Sequence, residues 1–442
     1  MLATPMATQG RCGHGDGGDR CTDEGAGRAW LPFTESEAKL ARQVGYLSRM
    51  YAVVVTNPPY MGGKNMDATL AAFAKDNYPT TKSDLFAMFI ERCLALATVG
   101  GQVAMITMQS WMFLSSYEKL RHQMLAHSTI STMAHLGARA FDSIGGEVVQ
   151  STAFVLAKGW VNGEGIFIRL VGGGNEAEKA SSLRKAAGDP ADVGRHQVNG
   201  LAFEAIPGTP IVYWLSEKMR AAFAKGRSLG DMAAPRKGID TGENDCFLRL
   251  WFEPSSYARA RTWAEGAKWY PYNKGGDFRR WYGNREWVVN WGQGGRDIAS
   301  RLTWPRKKST IRNRDYFGLE GLCWTTVSSG QFSVRYSSPG ALFDNGGCTL
   351  FSTEHDSLLG FGGLLNSTFT QTVLAALAPT LNYQPGDIAA IPVVCTKGRA
   401  AKNSRELVST LIACSKLDWD DFETSSDFET SGTLAIFRSM RE

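Results

Sequence analysis

The chain has 442 residues, of which 43% are hydrophobic, enough to build two domains with substantial cores. No stretch approaches about 18 uncharged apolar residues, so the sequence predicts no membrane span, and the first residues lack the pattern of a signal peptide. The net charge of +5 is mildly basic, and the eight cysteines lack CxxC spacing, which indicates reduced thiols in a cytoplasmic protein without a metal site.

The first elements of the chain follow from local signals. Residues 1–32 are rich in glycine and poor in apolar side chains, which predicts a disordered segment outside the fold. Thr34 and Glu37 have the spacing of a capping box, so a helix is predicted to begin here and to end near Met50. The β-branched run that follows predicts a short buried strand over Tyr51–Thr56.

Helices and strands are expected to alternate further along the chain. Ser83 is expected to cap a helix that ends at Gly100 and Gly101, because glycine commonly terminates helices. The remaining predicted elements are a helix over residues 117–127 and strands over residues 103–106, 130–136 and 148–156. This alternation predicts an α/β fold with a parallel sheet flanked by helices.

The composition changes after this region. Residues 171–200 contain a glycine triplet, many charges and few large apolar residues, which indicates a linker or a surface insertion. From residue 201 aromatic residues crowd in and apolar runs become short, which predicts a mixed α+β module to about residue 400. The predicted domains are therefore residues 33–170 and 201–400, followed by a C-terminal helix and tail over residues 401–442.

The loop Asn57-Pro58-Pro59-Tyr60 is the strongest candidate for a functional site. Each proline fixes its own φ and lacks an N–H, so the chain that leaves the strand is rigid and extended. Ligands usually bind at the carboxyl ends of strands in an α/β sheet. An amide, backbone carbonyls and an aromatic ring suit a planar, nitrogen-bearing group such as a base taken out of its stack.

The residue types in this loop fit one kind of reaction. The exocyclic amine of adenine is a poor nucleophile because its lone pair is delocalised into the ring. The side-chain oxygen of Asn57 and the carbonyl oxygen of Pro58 would localise this lone pair by accepting hydrogen bonds, and Tyr60 would stack on the base. An electrophilic methyl group would then be attacked directly, without a covalent enzyme intermediate.

A second group of signals lies in the aromatic part of the chain. Residues 261–291 hold nine aromatic side chains and six basic ones against three acids, and residues 296–314 hold seven basic residues and one acid. Most of the aromatic side chains are expected to pack in a core, whereas the excess of basic charge predicts contacts with nucleic acid. The residues predicted to bind DNA are Lys268, Lys274, Arg279, Arg280, Arg285, Arg296, Arg306, Lys307, Lys308, Arg312 and Arg314.

Several of these segments resemble one family. The Asn57–Tyr60 loop resembles the catalytic motif of amino-methyltransferases that use S-adenosylmethionine. Residues 207–214, 268–276 and 377–388 are similar to segments of the PglX family. These are adenine-specific DNA methyltransferases of BREX-type phage-defence systems, related to type IIG restriction-modification enzymes.

The resemblance implies an incomplete Rossmann-like methyltransferase domain followed by a mixed α+β target-recognition domain. It implies N6-adenine methylation of double-stranded DNA, with S-adenosylmethionine as the methyl donor. The loop Asn57–Tyr60 matches the catalytic motif, and Asp84 and Phe86 match the motif on the cofactor side.

The family's Gly-rich cofactor loop lies upstream of the catalytic strand, and residues 1–50 contain no equivalent that follows a strand. We therefore expect a middle fragment, an upstream polypeptide that completes the methyltransferase domain, and other phage-defence proteins as partners. Two alternatives stay open. A DNA-binding specificity fragment without catalysis fits the missing cofactor loop, and a protein-glutamine methyltransferase shares the catalytic loop.

Overall fold

The computed structural model describes residues 34–142, 149–260, 263, 266–300, 309–328, 330–378, 382–394 and 398–428. The described residues fall into two compact units that divide between Arg49 and Met50. The predicted disordered segment over residues 1–32 lies outside the described residues. The same holds for Arg306, Lys307 and Lys308 of the predicted DNA-binding set.

The first unit contributes helix α1 (Glu35–Leu47). The Thr34 hydroxyl accepts a hydrogen bond from the Glu37 N–H at 3.3 Å, and the Glu37 carboxylate accepts one from the Thr34 N–H at 2.8 Å. This reciprocal pair satisfies donors that a helix N-terminus otherwise leaves without partners. The capping box predicted from the sequence is confirmed.

A six-stranded mixed sheet forms the frame of the second unit. Its strands are β1 (Tyr51–Thr56), β2 (Ala97–Met108), β3 (Ser128–Gly137), β4 (Ser151–Lys158), β5 (Glu164–Arg169) and β6 (Arg195–Asn199). They lie in the order β1-β2-β4-β3-β5-β6, with β1 parallel to β2 and β3 parallel to β5. β4 runs antiparallel to β2 and β3, so the carboxyl ends of β1, β2 and β3 share one edge with the start of β4. The α/β class is confirmed, although the expected parallel sheet is mixed.

Strand β1 lies at an edge of this sheet, which corrects the prediction of a buried strand. Among the described strands it pairs with β2 alone. Val53 and Val55 are 60% and 72% exposed, on the same face as Ala104 of β2. β-branched side chains suit a strand on an open face as well as on a covered one, so the run of valines did not reveal which it would be.

The helices that accompany this sheet are α2 (Ala68–Asn77), α3 (Leu85–Leu96), α4 (Glu118–His127), α5 (Glu176–Gly188), α6 (Leu201–Glu204) and α7 (Glu217–Lys225). Two predictions about α3 were wrong. Its N-cap is Asp84 rather than Ser83, because the Asp84 carboxylate accepts the Phe86 N–H. It ends at Leu96, and Gly100 lies inside β2 with a φ of +81°.

Residues 171–200 are not a linker. They contain α5, which packs Ala186 against Ile168, and β6, which adds the sixth strand of the sheet. Beyond residue 200, Ile211 and Tyr213 are buried in the same hydrophobic cluster as the residues under the sheet. The core of the first sheet therefore extends past the predicted domain boundary.

The rest of the second unit has short strands and short helices. Its strands are β7 (Arg227–Ser228), β8 (Ala234–Arg236), β9 (Leu248–Leu250), β10 (Trp269–Asn273), β11 (Trp287–Asn290), β12 (Gly321–Trp324), β13 (Val334–Ser337), β14 (Leu342–Phe343), β15 (Thr349–Phe351) and β16 (Pro392–Val393). They form sheets in the orders β14-β10-β11-β9, β13-β12-β15-β8 and β16-β7. The helices are α8 (Asn244–Phe247), α9 (Gly292–Ser300), α10 (His355–Leu365), α11 (Thr368–Leu377), α12 (Pro385–Ala389) and α13 (Arg399–Asp420).

The mixed α+β character predicted for this region is confirmed. Within the described ranges, no helix has both the length and the apolar composition needed to cross a membrane.

Candidate active site

The loop Asn57-Pro58-Pro59-Tyr60 follows β1 at the edge where β2 and β3 also end. Asn57 and Pro59 are exposed, Pro58 is buried, and Tyr60 is 36% exposed. The amide and the phenol are therefore accessible, while one proline anchors the backbone between them. This is the arrangement that a ligand-binding loop at a strand end requires.

Asp84 holds the end of this loop against α3. One oxygen of its carboxylate, Oδ1, accepts hydrogen bonds from the Met61 N–H at 3.0 Å and from the Phe86 N–H at 3.3 Å. The Leu85 N–H in turn donates to the Met61 carbonyl at 3.1 Å. Partial burial raises the pKa of the Asp84 carboxyl, and these backbone donors oppose the rise. The sequence match placed Asp84 on the cofactor side, and the structure shows that it also fixes the loop.

The ring of Tyr60 packs against aromatic side chains of the core. Its ring meets the ring of Phe86 edge-on, with centroids 6.1 Å apart, and Phe86 lies 5.7 Å from Tyr117. Phe86 is 1% exposed, so its side chain belongs to the core beneath Tyr60. These contacts fix the plane of the Tyr60 ring while leaving part of it open.

The Tyr60 hydroxyl reaches the start of β4. Burial raises the pKa of this phenol, and the neighbouring Ser151 hydroxyl opposes the rise. The two hydroxyls do not form a full hydrogen bond, and Ser151 Oγ has no partner in the described part of the chain although Ser151 is fully buried. Because β2 lies between β1 and β4, Tyr60 spans the end of β2.

A polar network that is buried at His135 and Tyr213 and exposed at Gln150 borders this loop, and no sequence pattern predicted it. His135 Nε2 lies 2.6 Å from Gln109 Oε1, and His135 Nδ1 lies 2.9 Å from the Tyr213 hydroxyl. Gln109 Nε2 donates to Gln150 Oε1. Burial, and then the positive charges of Arg169 and of a lysine on α5, lower the pKa of His135 to about 3. The imidazole is therefore neutral at physiological pH.

Most of the described residues predicted to bind DNA lie over aromatic rings. The pairs, with distances of 4.1 to 5.7 Å from the charged group to the ring centroid, are Lys268–Trp269, Lys274–Trp287, Arg279–Trp419, Arg280–Phe278, Arg285–Tyr282 and Arg314–Trp291. Arg296 and Arg312 are exposed. The aromatic rings thus orient the charged groups of these lysine and arginine side chains, which lie between residues 268 and 314.

The aromatic side chains of this region differ in their exposure. Tyr270, Tyr272 and Trp291 are buried and belong to one hydrophobic cluster, whereas Trp263 and Phe278 are about half exposed, at 48% and 47%. Of these rings, buried Trp291 and half-exposed Phe278 are partners of the basic residues Arg314 and Arg280.

Comparison with known proteins agrees with this geometry. The Eco57I restriction-modification methylase family matches residues 25–141. The adenine-specific methyltransferase PglX of Lacticaseibacillus casei (strain Zhang) is 40% identical over 396 residues, which cover 87% of this chain and 32% of the relative. The adenine-specific methyltransferase BrxX of Escherichia coli O9:H4 (strain HS) is 40% identical over 396 residues, which cover 88% of this chain and 31% of the relative.

The predicted resemblance to PglX is confirmed. The chain spans about a third of the length of these curated relatives. Among solved structures, the Type IIL restriction-modification enzyme MmeI in complex with DNA aligns with a TM-score of 0.52 and 11% identity, covering 85% of this chain and 50% of that one. At this identity the likeness shows a shared fold, and it extends across both the first sheet and the region of short strands.

Proposed function

We propose that the chain is the target-binding and recognition part of a site-specific DNA methyltransferase that transfers a methyl group to N6 of a flipped adenine. The observation that supports this proposal is the rigid loop Asn57–Tyr60. It presents an accessible amide and a supported aromatic ring at the carboxyl edge of the sheet.

Each residue of the loop has a role in this proposal. Asn57 Oδ1 and the Pro58 carbonyl oxygen accept hydrogen bonds from the amino group, which localises the nitrogen lone pair as the bond to carbon forms. Pro59 keeps the backbone extended between them and Tyr60. Tyr60 stacks on the base, held in place by Phe86 at 6.1 Å. S-adenosylmethionine, when bound, supplies the electrophilic methyl group.

Asp84 fits a role on the cofactor side better than Phe86 does. Both hydrogen bonds from Met61 and Phe86 end on Oδ1, which leaves the second carboxylate oxygen as an acceptor for a bound amino group. The ring of Phe86 lies beneath Tyr60 and acts by positioning that ring. Asp84 and Phe86 together thus couple the cofactor side to the base side.

The basic region is proposed to bind double-stranded DNA. Lys274 lies 4.1 Å from the ring of Trp287, and Arg279 lies 4.8 Å from the ring of Trp419 and also pairs with the Asp418 carboxylate at 3.4 Å, so both charges have a defined direction. Arg280 Nε and Arg285 Nη1 are buried donors that have no partner within the described ranges. Buried donors without partners are costly unless a ligand completes them, and phosphate oxygens or guanine acceptors would do so.

An upstream polypeptide is proposed to complete the sheet. Val53 and Val55 of β1 lie exposed on a strand whose second edge pairs with none of the described strands. An added strand would pair with the backbone of this edge, and an element connected to that strand would cover the face that bears Val53 and Val55. Other phage-defence proteins are proposed as further partners, on the strength of the resemblance to PglX.

The test is methyl transfer by the full chain, expressed with and without the upstream polypeptide in cells that lack adenine methylation. Sequencing that detects modified bases should show N6-methyladenine at one short site. Asn57→Ala should lower transfer by about a hundredfold or more, whereas Asn77→Ala, at the exposed end of α2, should leave it unchanged. Label on protein rather than DNA would favour the glutamine methyltransferase. DNA binding with no transfer in any combination would favour the specificity fragment.

A further inference from the structure

The hydrogen bonds of the polar network around His135 all donate in one direction along the chain of side chains. Burial raises the pKa of the Tyr213 hydroxyl, and the adjacent Arg169 guanidinium opposes this rise. A guanidinium has only donors, so Tyr213 cannot give its proton to Arg169 and gives it to His135 Nδ1. His135 then carries its own proton on Nε2 and donates it to Gln109 Oε1. The Gln109 amide must turn its N–H toward Gln150 Oε1, as observed.

The network ends at the rim of the candidate active site. Gln109 follows β2 and Gln150 precedes β4. The backbone N–H of Gln109 donates to the backbone carbonyl of Gln150 at 2.8 Å. Ser151, next to Gln150, is the residue that neighbours the Tyr60 hydroxyl. β1 pairs with β2 up to Thr56 and Met105, and β4 begins opposite Met108, so the two glutamines lie at the sheet edge that also carries the loop proposed to hold the base.

This direction determines what Gln150 offers to a ligand. Its side-chain oxygen is occupied by Gln109, so its NH2 group, on an exposed side chain, is the part left to bind. Adenine has an acceptor, N1, beside its amino group. Guanine and thymine carry an N–H at the corresponding ring position, which a donor cannot bind, whereas N3 of cytosine, beside its amino group, is an acceptor like N1 of adenine.

We infer that Gln150 selects adenine over guanine and thymine by donating its amide N–H to N1 of the flipped base, and that His135 and Gln109 are positioning residues that keep this donor outward. The inference rests on the proposed function and deepens it, because it names how the base is distinguished once it is in the pocket.

The experiment compares duplexes that carry adenine, 1-deazaadenine or 7-deazaadenine at the methylated position, with the full chain and any polypeptide needed for activity. Gln150→Leu should lower kcat/KM on adenine by about tenfold, the worth of one hydrogen bond. On 1-deazaadenine, which lacks the acceptor, the same substitution should cost nothing further. On 7-deazaadenine it should cost the full tenfold again, and the Kd for DNA should stay the same throughout.

The role of the network is tested by Gln109→Glu. A glutamate still accepts from His135 but turns an oxygen toward Gln150, which forces the Gln150 N–H inward. This variant should reproduce the pattern of Gln150→Leu across the three bases at an unchanged melting temperature. Gln123→Leu, on the exposed side of α4, is the matched control and should behave as the wild type.

The inference would be overturned if the fold-losses in kcat/KM caused by Gln150→Leu and by 1-deazaadenine multiplied when combined. It would also be overturned if Gln109→Glu had the wild-type ratios of kcat/KM among the three bases. In both cases a wild-type chain that methylates adenine leaves the proposed function standing. A wild-type chain that transfers no methyl group to DNA under any condition refutes the function, and the inference with it.

Discussion

Acidification should destabilise the folded chain through His135, and the size of the effect follows from its environment. The imidazole is 3% exposed, next to Tyr213, and the charges of Arg169 and Lys179 add to the effect of burial. Its pKa is about 3 in the folded state, against about 6.5 in an unfolded chain. The unfolded state therefore binds the proton first as the pH falls. The stabilisation is complete above about pH 6.5 and is lost progressively down to about pH 3.

Because the two states bind the proton at different pH, the free energy of unfolding should change with pH by an amount that can be measured. Between pH 7 and pH 5 the His135 contribution to the free energy of unfolding should fall by about 2 kcal/mol, out of roughly 4 kcal/mol lost by pH 3. His135→Gln keeps one donor and one acceptor but does not titrate, so the variant should lack this part of the slope.

Urea unfolding followed by tryptophan fluorescence at pH 7, 6 and 5 measures the effect, provided that the m-value is the same for both proteins. His127→Gln, at an exposed position at the end of α4, is the matched control and should keep the wild-type pH dependence. If His135→Gln loses as much stability as the wild type between pH 7 and pH 5, the buried neutral imidazole is not what the slope reports, and the reasoning fails.

Three further substitutions test the frame of the site. Asp84→Ala should lower the free energy of unfolding by about 1–2 kcal/mol and also impair methyl transfer. Asp67→Ala removes only the cap of α2 and should lower the free energy of unfolding without affecting transfer. Unfolding assays and transfer assays on both variants distinguish these outcomes. Arg121→Met should cost about 3 kcal/mol or more by denaturant unfolding, because the buried guanidinium donates to carbonyls from two distant segments, and a cost under about 1 kcal/mol would contradict this. Gly276→Ala should destabilise by about 1–3 kcal/mol, since the residue has a φ of +124° and a Cβ would lie 2.8 Å from a side-chain nitrogen, whereas Gly172→Ala, in open space, should be neutral in the same thermal unfolding assay.

The features that the sequence predicted well depend on near neighbours along the chain. The capping box at Thr34 and the bounds of β1 need only a few residues to be recognised, and both are confirmed. The choice of Ser83 over Asp84 failed because both are good N-caps, and the carboxylate of Asp84 reaches both its own helix and Met61. That second contact lies outside any local pattern.

The features that the sequence did not reveal depend on pairing across strands. Gln109, His135 and Gln150 come from three strand ends and show no common spacing, so only the sheet order brings them together. The exposure of Val55 likewise depends on which strand lies beside β1 rather than on the valine itself. The aromatic and basic region was predicted in outline because an excess of charge is visible in composition, but the pairing of each cation with its ring was not.

The outer edge of β1, which pairs with none of the described strands, would link the stability of this chain to the polypeptide proposed to dock there. A polypeptide that docks there binds the native state and not the unfolded one, so its concentration enters the apparent stability through mass action. With such a polypeptide the apparent stability would depend on its ratio to this chain, and an excess of this chain would leave the edge near Val53 and Val55 open to self-association.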